Sequence, residues 1–287
     1  MATTDPWPPF ADQQLVRRLG STPEQLVQQL PAFLERITGL MDAIAAGTPE
    51  ERIAMAHGYP WERVERPVRL RDGEVLPDGP LRGDGPRWPV VAIGANGSPT
   101  RLALKLDGVD VADARMVPAT LEGHDVVACP FPTGYGSFAG TIAVSPGTRV
   151  RVTVLELTAP QVERLTLTEF GYAFGRLAGT VARGADGVLH RDPLAYVHHG
   201  GAYGIDDEPV ALAAIPATGR RLRAMTQAEL LEDCAGRLRW LEADLDGARL
   251  LRRILDDPIA FVQEHHAPLL ADAVPTPQPG FVPYPTP

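Results

Sequence analysis

The sequence contains little cysteine and no long apolar run, and each shortage excludes a class of protein. Its 287 residues include two cysteines, Cys129 and Cys234, which are too few for a disulfide framework. No apolar run approaches the ~20 residues that a membrane-spanning helix needs. Acidic residues outnumber basic ones by 36 to 27, and this formal charge of −9 gives no general attraction to nucleic acid or anionic lipid. We therefore expect no nucleic-acid partner and no membrane partner.

The overall composition is that of a folded globular protein. Apolar residues make up 44% of the chain and charged residues 22%, which excludes disorder throughout. The first residues contain neither the basic segment nor the apolar segment of a secretory signal, so we expect a cytoplasmic protein. Of the 27 basic residues only Lys105 is a lysine, and we attribute this bias to base composition rather than to function.

Composition and periodicity divide the chain into five regions. They are an N-terminal helical region at 1–66, a linker or long loop at 67–87, a strand-rich region at 88–225, C-terminal helices at 226–272 and a Pro-rich tail at 273–287. The leucine stripes of the two helical regions need a cover. Either the central region or a second copy of the chain, in a homodimer, would supply it.

The strongest local candidate for a binding site is the turn that follows the apolar strand at 89–93. Gly94, Asn96 and Gly97 lie between this strand and a helix that begins with a Ser-Pro pair. Several backbone N–H groups of such a turn point into one concavity at the positive end of the helix, which suits a carboxylate or a phosphate. The alternative is a tight turn that uses glycine only because its backbone needs a positive φ angle.

The second candidate is Glu169, in the last turn of a helix that the capping box of Thr158 and Gln161 begins and Gly171 closes. The negative end of the helix and the apolar neighbours both favour the protonated form of this carboxyl group, as proton transfer requires. The alternative is a solvated glutamate at a helix end.

These segments, in this order, resemble the gamma-glutamyl cyclotransferase-like family. In that family a first strand ends in a Tyr-Gly-Ser loop, a later hairpin carries a Ser-Pro-Gly turn, and a helix leads to a catalytic glutamate. Gly94 and Asn96 match the loop, residues 145–147 match the turn, and Glu169 matches the catalytic glutamate. The resemblance covers residues 88–175 and extends to 225 if the rest of the family's barrel is present.

The sequence departs from the family pattern at three positions. Ile93 stands where the loop tyrosine is expected, Ala95 replaces the loop serine, and Phe170 separates Glu169 from Gly171. Backbone amides still bind an anion without those side chains, but a phenol and a hydroxyl donor are lost. The departures therefore bear on the substrate more than on the fold.

The resemblance implies an α+β fold, a small mixed β-barrel of gamma-glutamyl cyclotransferase-like type with N- and C-terminal helical extensions. It also implies an enzyme that converts a γ-glutamyl amide, or a related small amide, to 5-oxoproline and a free amine. Glu169 would move the proton, and the loop would bind the substrate through Ile93, Gly94, Ala95, Asn96 and Gly97. That chemistry requires no metal and no organic cofactor, because the nucleophile belongs to the substrate.

Two other functions stay open. The same barrel could be a non-catalytic small-molecule-binding or scaffold protein, which the loss of the loop tyrosine and serine would fit. It could also perform a different acyl-transfer or amide-breaking reaction in the same cavity. Outside the resemblance, we interpret His198 and His199 as a weak metal candidate, and Arg220, Arg221 and Arg223 as a solvated basic edge.

Overall fold

A computed structural model describes residues 6–19, 46–109, 112–240 and 242–285. Within these ranges the chain is a mixed α+β protein built on one large sheet, which confirms the α+β part of the predicted fold. The leucine stripe predicted over residues 26–44 lies outside the described residues. In the described part of the chain, no helix has both the length and the apolar character needed to cross a bilayer.

The helices mostly begin at the predicted capping residues. The side chains of Thr48 and Thr226 each accept the backbone N–H three residues on. The glutamate side chain at that position in turn accepts the N–H of the capping threonine. Asp246 and Asp257 cap the last two described helices, and each side chain accepts the backbone N–H three residues on. The helices are α1 (Gln13–Leu19), α2 (Pro49–His57), α3 (Pro99–Leu106), α4 (Ala159–Leu167), α5 (Gln227–Arg237), α6 (Gly247–Asp256) and α7 (Pro258–Ala271).

The leucine spacing after Thr226 predicts one long helix up to Pro258, and this prediction is wrong. The chain leaves the helix after Arg237 and starts again at Gly247, whose N–H donates to Glu232 of α5 at 2.8 Å. The break lies where the sequence offers Asp246 as a new cap, which accepts from the Arg249 N–H at 2.8 Å. Two shorter helices pack against each other, and both leucine stripes are buried in the core.

Thirteen strands of the described residues form one mixed sheet, and two more form a separate hairpin. The hairpin consists of β10 (Gly204–Ile205) and β11 (Glu208–Pro209). The sheet contains β1 (Val68–Arg71), β2 (Glu74–Pro77), β3 (Trp88–Ala92), β4 (Ala114–Pro132), β5 (Phe138–Leu157), β6 (Tyr172–Leu177), β7 (Val181–Gly184), β8 (Leu189–Arg191), β9 (Leu194–His198), β12 (Ala211–Leu212), β13 (Ala217–Thr218), β14 (Ala224–Met225) and β15 (Phe281–Pro283).

The sheet is organised around the long antiparallel pair of β4 and β5. Its main path runs β14, β12, β4, β5, β3, β9, β6, β15, and the β3–β9 and β12–β14 pairs are parallel. Val117 lies opposite Val154, and Val126 opposite Ile142, so apolar residues of both strands enter the core. Register shifts near residue 123 and residues 129–131 bend this pair.

The hairpin expected at residues 145–147 is wrong. Residues 140–144 and 149–157 do not pair with each other; both pair with β4, one after the other, in a single strand. Gly147 has a φ of 84°, and the Ser145 and Thr148 hydroxyls bond at 2.7 Å, so the Ser-Pro-Gly segment forms an outward bulge. Pairing with a distant strand outweighs the local turn preference.

The linker or long loop expected at 67–87 contains a hairpin instead. Strands β1 and β2 pair with each other, and β1 also pairs with β4. Asp72 and Gly73 form its turn with φ angles of 49° and 81°, as a two-residue turn requires. The buried Asp113 carboxylate holds the hairpin by accepting from Arg71 at 2.6 and 2.7 Å.

The Pro-rich tail packs on the domain. Strand β15 pairs with β6, and Tyr284 stacks on Phe10 with ring centroids 4.9 Å apart. Phe174 of β6 contacts both rings, so the two ends of the described chain meet on one sheet edge.

Candidate functional site

The loop after β3 forms one short 3-10 turn over Ala95–Gly97. The Gly97 N–H donates to the Gly94 carbonyl at 2.9 Å, and the Ser98 N–H donates to the Ala95 carbonyl at 3.0 Å. In the described part of the chain, no hydrogen bond is recorded for the N–H groups of Gly94, Ala95 and Asn96. Of the four amides of the predicted anion nest, three thus have no recorded partner among the described residues, and the amide of Gly97 is bonded within the turn.

Space, rather than backbone conformation, explains the two loop glycines. Neither has a positive φ angle, so the tight-turn interpretation is wrong for this loop. A Cβ at residue 94 would overlap the Tyr59 hydroxyl oxygen, and one at residue 97 would lie 3.0 Å from the Arg63 guanidinium. Two side chains from the segment after α2 thus lie directly against the loop.

Arg63 holds the loop from behind. Its guanidinium donates to the carbonyls of Ile93 at 2.6 Å and of Gly94 at 3.3 Å. Burial lowers the pKa of Arg63 to about 10, which leaves the group charged at neutral pH. The Ile93 side chain is buried in the core. Among the predicted loop residues, Ile93 therefore contributes packing rather than a polar contact.

The structure brings the two predicted halves of the site together. Glu169 lies two residues beyond the end of α4 rather than in its last turn. The Asn96 side-chain amide donates to Glu169 Oε1 at 3.0 Å, although the two residues are 73 positions apart. Thr168 donates to the same oxygen at 3.3 Å. Oε2 has no recorded partner among the described residues, so it is the oxygen available to take a proton.

Lys105 completes the network. Its ammonium donates to Glu169 Oε1 at 2.8 Å and to Asn96 Oδ1 at 2.7 Å. Both charged side chains are 12% exposed, so solvent screens the pair only weakly. The chain's single lysine thus lies at the candidate site.

Phenols and a thiol lie beside the network inside the core. Gly140 donates its N–H to Tyr59 Oη at 2.8 Å and accepts from Tyr172 Oη at 3.0 Å. Tyr172 also contacts Cys129 Sγ at 3.1 Å. Burial raises the pKa of the Cys129 thiol to about 12 and the pKa of both phenols further above their usual value. All three groups are neutral at pH 7, and Cys129 is not an activated nucleophile.

A third positive charge, that of Arg101, lies near the loop. Arg101, in the first turn of α3, places its guanidinium 4.5 Å from the centre of the Trp61 ring and 2.6 Å from Met55 Sδ. The Trp61 ring also contacts Tyr135 at 5.5 Å. The pKa of Tyr135 is raised to about 12: burial raises it most, a hydrogen bond with Thr133 lowers it, the charge of Glu169 raises it and the charge of Arg101 lowers it. Tyr135 therefore lies within electrostatic reach of both charged groups.

Sequence reasoning missed Tyr59, Arg101 and Lys105. Tyr59 and the loop are more than thirty residues apart, and no local motif links them. The spacing of Arg101 and Lys105 was the available signal, because residues four apart on a helix face the same side. Both follow a loop that had already been singled out for anion binding.

Of the other candidates, Arg220 and His198 have structural partners, while Arg221 and Arg223 are exposed. Arg220 forms a bidentate pair with the buried Asp125 at 2.8 Å, so it is not part of a solvated basic edge. The His198 ring packs against Tyr172, and His199 is exposed. Among the described residues, no group of three or more histidine, cysteine or acidic side chains is placed to hold a metal ion.

Comparison of the chain with protein-family models, with curated proteins and with solved structures finds no match.

Proposed function

We propose that the chain is a gamma-glutamyl cyclotransferase-like enzyme that cleaves a γ-glutamyl amide, or a related small amide, to 5-oxoproline and a free amine. The observation that carries the proposal is the 3.0 Å bond between Asn96 and Glu169. The loop and the glutamate are each candidates on local sequence features, both match one family pattern, and they meet in space. Ordinary packing gives no reason for those two positions to coincide.

The proposed chemistry needs one carboxylate beside an anion-binding loop. The Gly94, Ala95 and Asn96 amides hold the substrate carboxylate, and Glu169 Oε2 takes a proton from the substrate ammonium. The freed nitrogen attacks the γ-carbonyl carbon, the bond from that carbon to the leaving nitrogen breaks, and Glu169 returns a proton to it. The α-nitrogen loses two protons and the leaving amine gains two, so no co-reactant is consumed. Ring closure is intramolecular, which removes most of the entropic cost.

The proposal includes a small mixed β-barrel as the detailed architecture of the sheet. The bent pair of β4 and β5 supports it, because bulges of this kind allow a sheet to curve and close. The mouth of such a barrel would contain the loop after β3 and Glu169.

One observation favours the second candidate, a binding protein without turnover. Lys105 already supplies an ammonium group to Glu169 and Asn96, in the place where the substrate ammonium is needed. A catalytic site must let the substrate share or displace that ammonium. A site that keeps it would bind small carboxylates without moving a proton.

The test is a release assay on the full chain. The purified protein is incubated with γ-glutamyl amines and γ-glutamyl dipeptides, and both 5-oxoproline and the free amine are quantified. Equal release of the two products supports the proposal. Amide cleavage with free glutamate as the product would instead indicate hydrolysis. Binding of these compounds with no product from any of them would favour the binding protein.

A further inference from the structure

Arg101 is a cation without an anionic partner in the part of the chain that the structure describes. Its recorded contacts are the Met55 sulfur and the face of Trp61, neither of which is a carboxylate. A guanidinium carries five N–H donors. By contrast, Arg71 and Arg220 each form two bonds to a buried carboxylate, and Arg63 bonds backbone carbonyls. The half-buried Arg101 therefore keeps unused donors beside the candidate site.

The surface under this guanidinium is rigid. Trp61 donates its indole N–H to the Met55 carbonyl at 2.8 Å, and its ring lies edge-on to Tyr59 at 5.2 Å. Trp61 also has a φ of 64°, which a non-glycine residue keeps only when its surroundings fix it. Strained residues of this kind cluster at ligand sites. A planar cation stacked on a fixed indole is oriented before any ligand arrives.

The charges beside the loop match the two charges of an α-amino acid. Glu169 provides the negative group and Arg101 the positive one, since Arg101 lies one helical turn before Lys105, whose ammonium contacts Glu169 at 2.8 Å. The three available loop amides lie immediately before the helix that carries Arg101. A ligand whose ammonium lies at Glu169 thus has its neighbouring carboxylate between the amides and the guanidinium.

We propose that Arg101 binds the ligand's α-carboxylate through paired N–H donors and makes a free carboxylate next to the amine a requirement for binding. This inference rests on the proposed function for the position of the ligand's amine at Glu169. The Arg101 guanidinium, on the helix that follows the loop, takes the place of the side-chain donors that Ile93 and Ala95 do not provide. Bidentate carboxylate recognition is the use to which arginine is best suited.

The experiment measures binding and turnover separately, with γ-glutamyl methylamide and its α-carboxamide counterpart as probes. Calorimetry on the wild-type full chain should detect the carboxylate probe and show at least 10-fold weaker binding of the carboxamide. Arg101→Gln should weaken binding of the carboxylate probe by about 10–100-fold and remove the preference between the two probes. Arg101→Lys keeps the charge but loses the paired N–H donors. Its affinity for the carboxylate probe should lie between the affinities of wild type and Arg101→Gln.

Controls separate this inference from the enzymatic proposal. Arg183→Gln, at an exposed arginine on β7, tests the loss of one surface charge and should leave binding unchanged. A melting temperature for each variant shows whether it is folded. Carboxylate binding that depends on Arg101, without product release, would support the inference and contradict the enzyme. Product release with the same KM in wild type and Arg101→Gln would support the enzyme and overturn the inference, as would wild-type chain that does not distinguish the probes.

Discussion

At the scale of single residues, the candidate site depends on how one carboxylate is held. Glu169 Oε1 accepts from Asn96, Lys105 and Thr168, while Oε2 is left without a recorded partner among the described residues. Three donors on one oxygen fix the direction of the other. The arrangement orients a proton acceptor, and Lys105 contributes charge to it as well as geometry.

Replacing Lys105 tests that contribution. Lys105→Met keeps the apolar stem and removes the ammonium 2.8 Å from Glu169. The KM for an amine substrate should fall, because a competing ammonium is gone. Lys105→Arg, which keeps the charge, should keep the wild-type KM; equal KM values in all three proteins would contradict this role.

At the scale of elements, sequence signals within a segment predicted the features that contacts within that segment determine. The starts of α4 and α5 are set by capping boxes within three residues, and α3 begins at Pro99 without a side-chain cap bond; each start was predicted from the sequence. The course of β5 through residues 145–148 was not, because pairing with β4 decides it. The meeting of Asn96 with Glu169 was predicted only through the family resemblance. Arg101 and Tyr59 were not predicted, since nothing in their own segments links them to Glu169.

The docking of the β1–β2 hairpin should depend on pH through Asp113. Its arginine partners, Arg71 first, lower the pKa of this carboxyl from 3.8 to about 2. A pKa that is depressed in the folded state means stability that is present above pH 4 and is lost as the pH falls toward 2. The melting temperature of wild type should therefore fall over this range.

Asp113→Asn provides the comparison. The variant should be less stable than wild type at pH 7, because Arg69 and Arg71 lose their buried anion. The difference in melting temperature between the two proteins should narrow as the pH falls from 4 to 2. A difference that stays constant over that interval would show that the ion pair does not carry the effect.

At the scale of the whole molecule, segments remote in sequence cover the two faces of the sheet. Leu15 and Val16 of α1 join one buried cluster, and α2 and the C-terminal helices join the other. The N-terminal segment is therefore part of the described core, and the C-terminal tail packs against the aromatic residues of that segment. Deleting residues 1–66 should lower the melting temperature clearly, because it also removes Tyr59 and Arg63 from behind the loop.

A double-mutant cycle tests whether the two ends stabilise each other. Phe10 and Tyr284 stack at 4.9 Å across the edge formed by β6 and β15. Phe10→Leu and Tyr284→Leu should each destabilise the protein, and the two effects should couple by about 0.5–1.5 kcal/mol in denaturant unfolding. As a control, Phe10→Leu paired with Trp240→Leu, an exposed residue, should show additive effects. Additivity in the Phe10–Tyr284 pair would contradict the terminal contact.

The central claim is that Glu169 transfers the proton, and Glu169→Gln tests it most directly. The variant keeps the size of the side chain and can still accept from Asn96 and Lys105, but it cannot take a proton. The rate of 5-oxoproline release from a γ-glutamyl amide should fall by about 10²–10⁴-fold, with ligand binding largely retained. Glu62→Gln, at an exposed glutamate before Arg63, is the matched control and should keep the wild-type rate. Undiminished release of 5-oxoproline by Glu169→Gln would contradict the account.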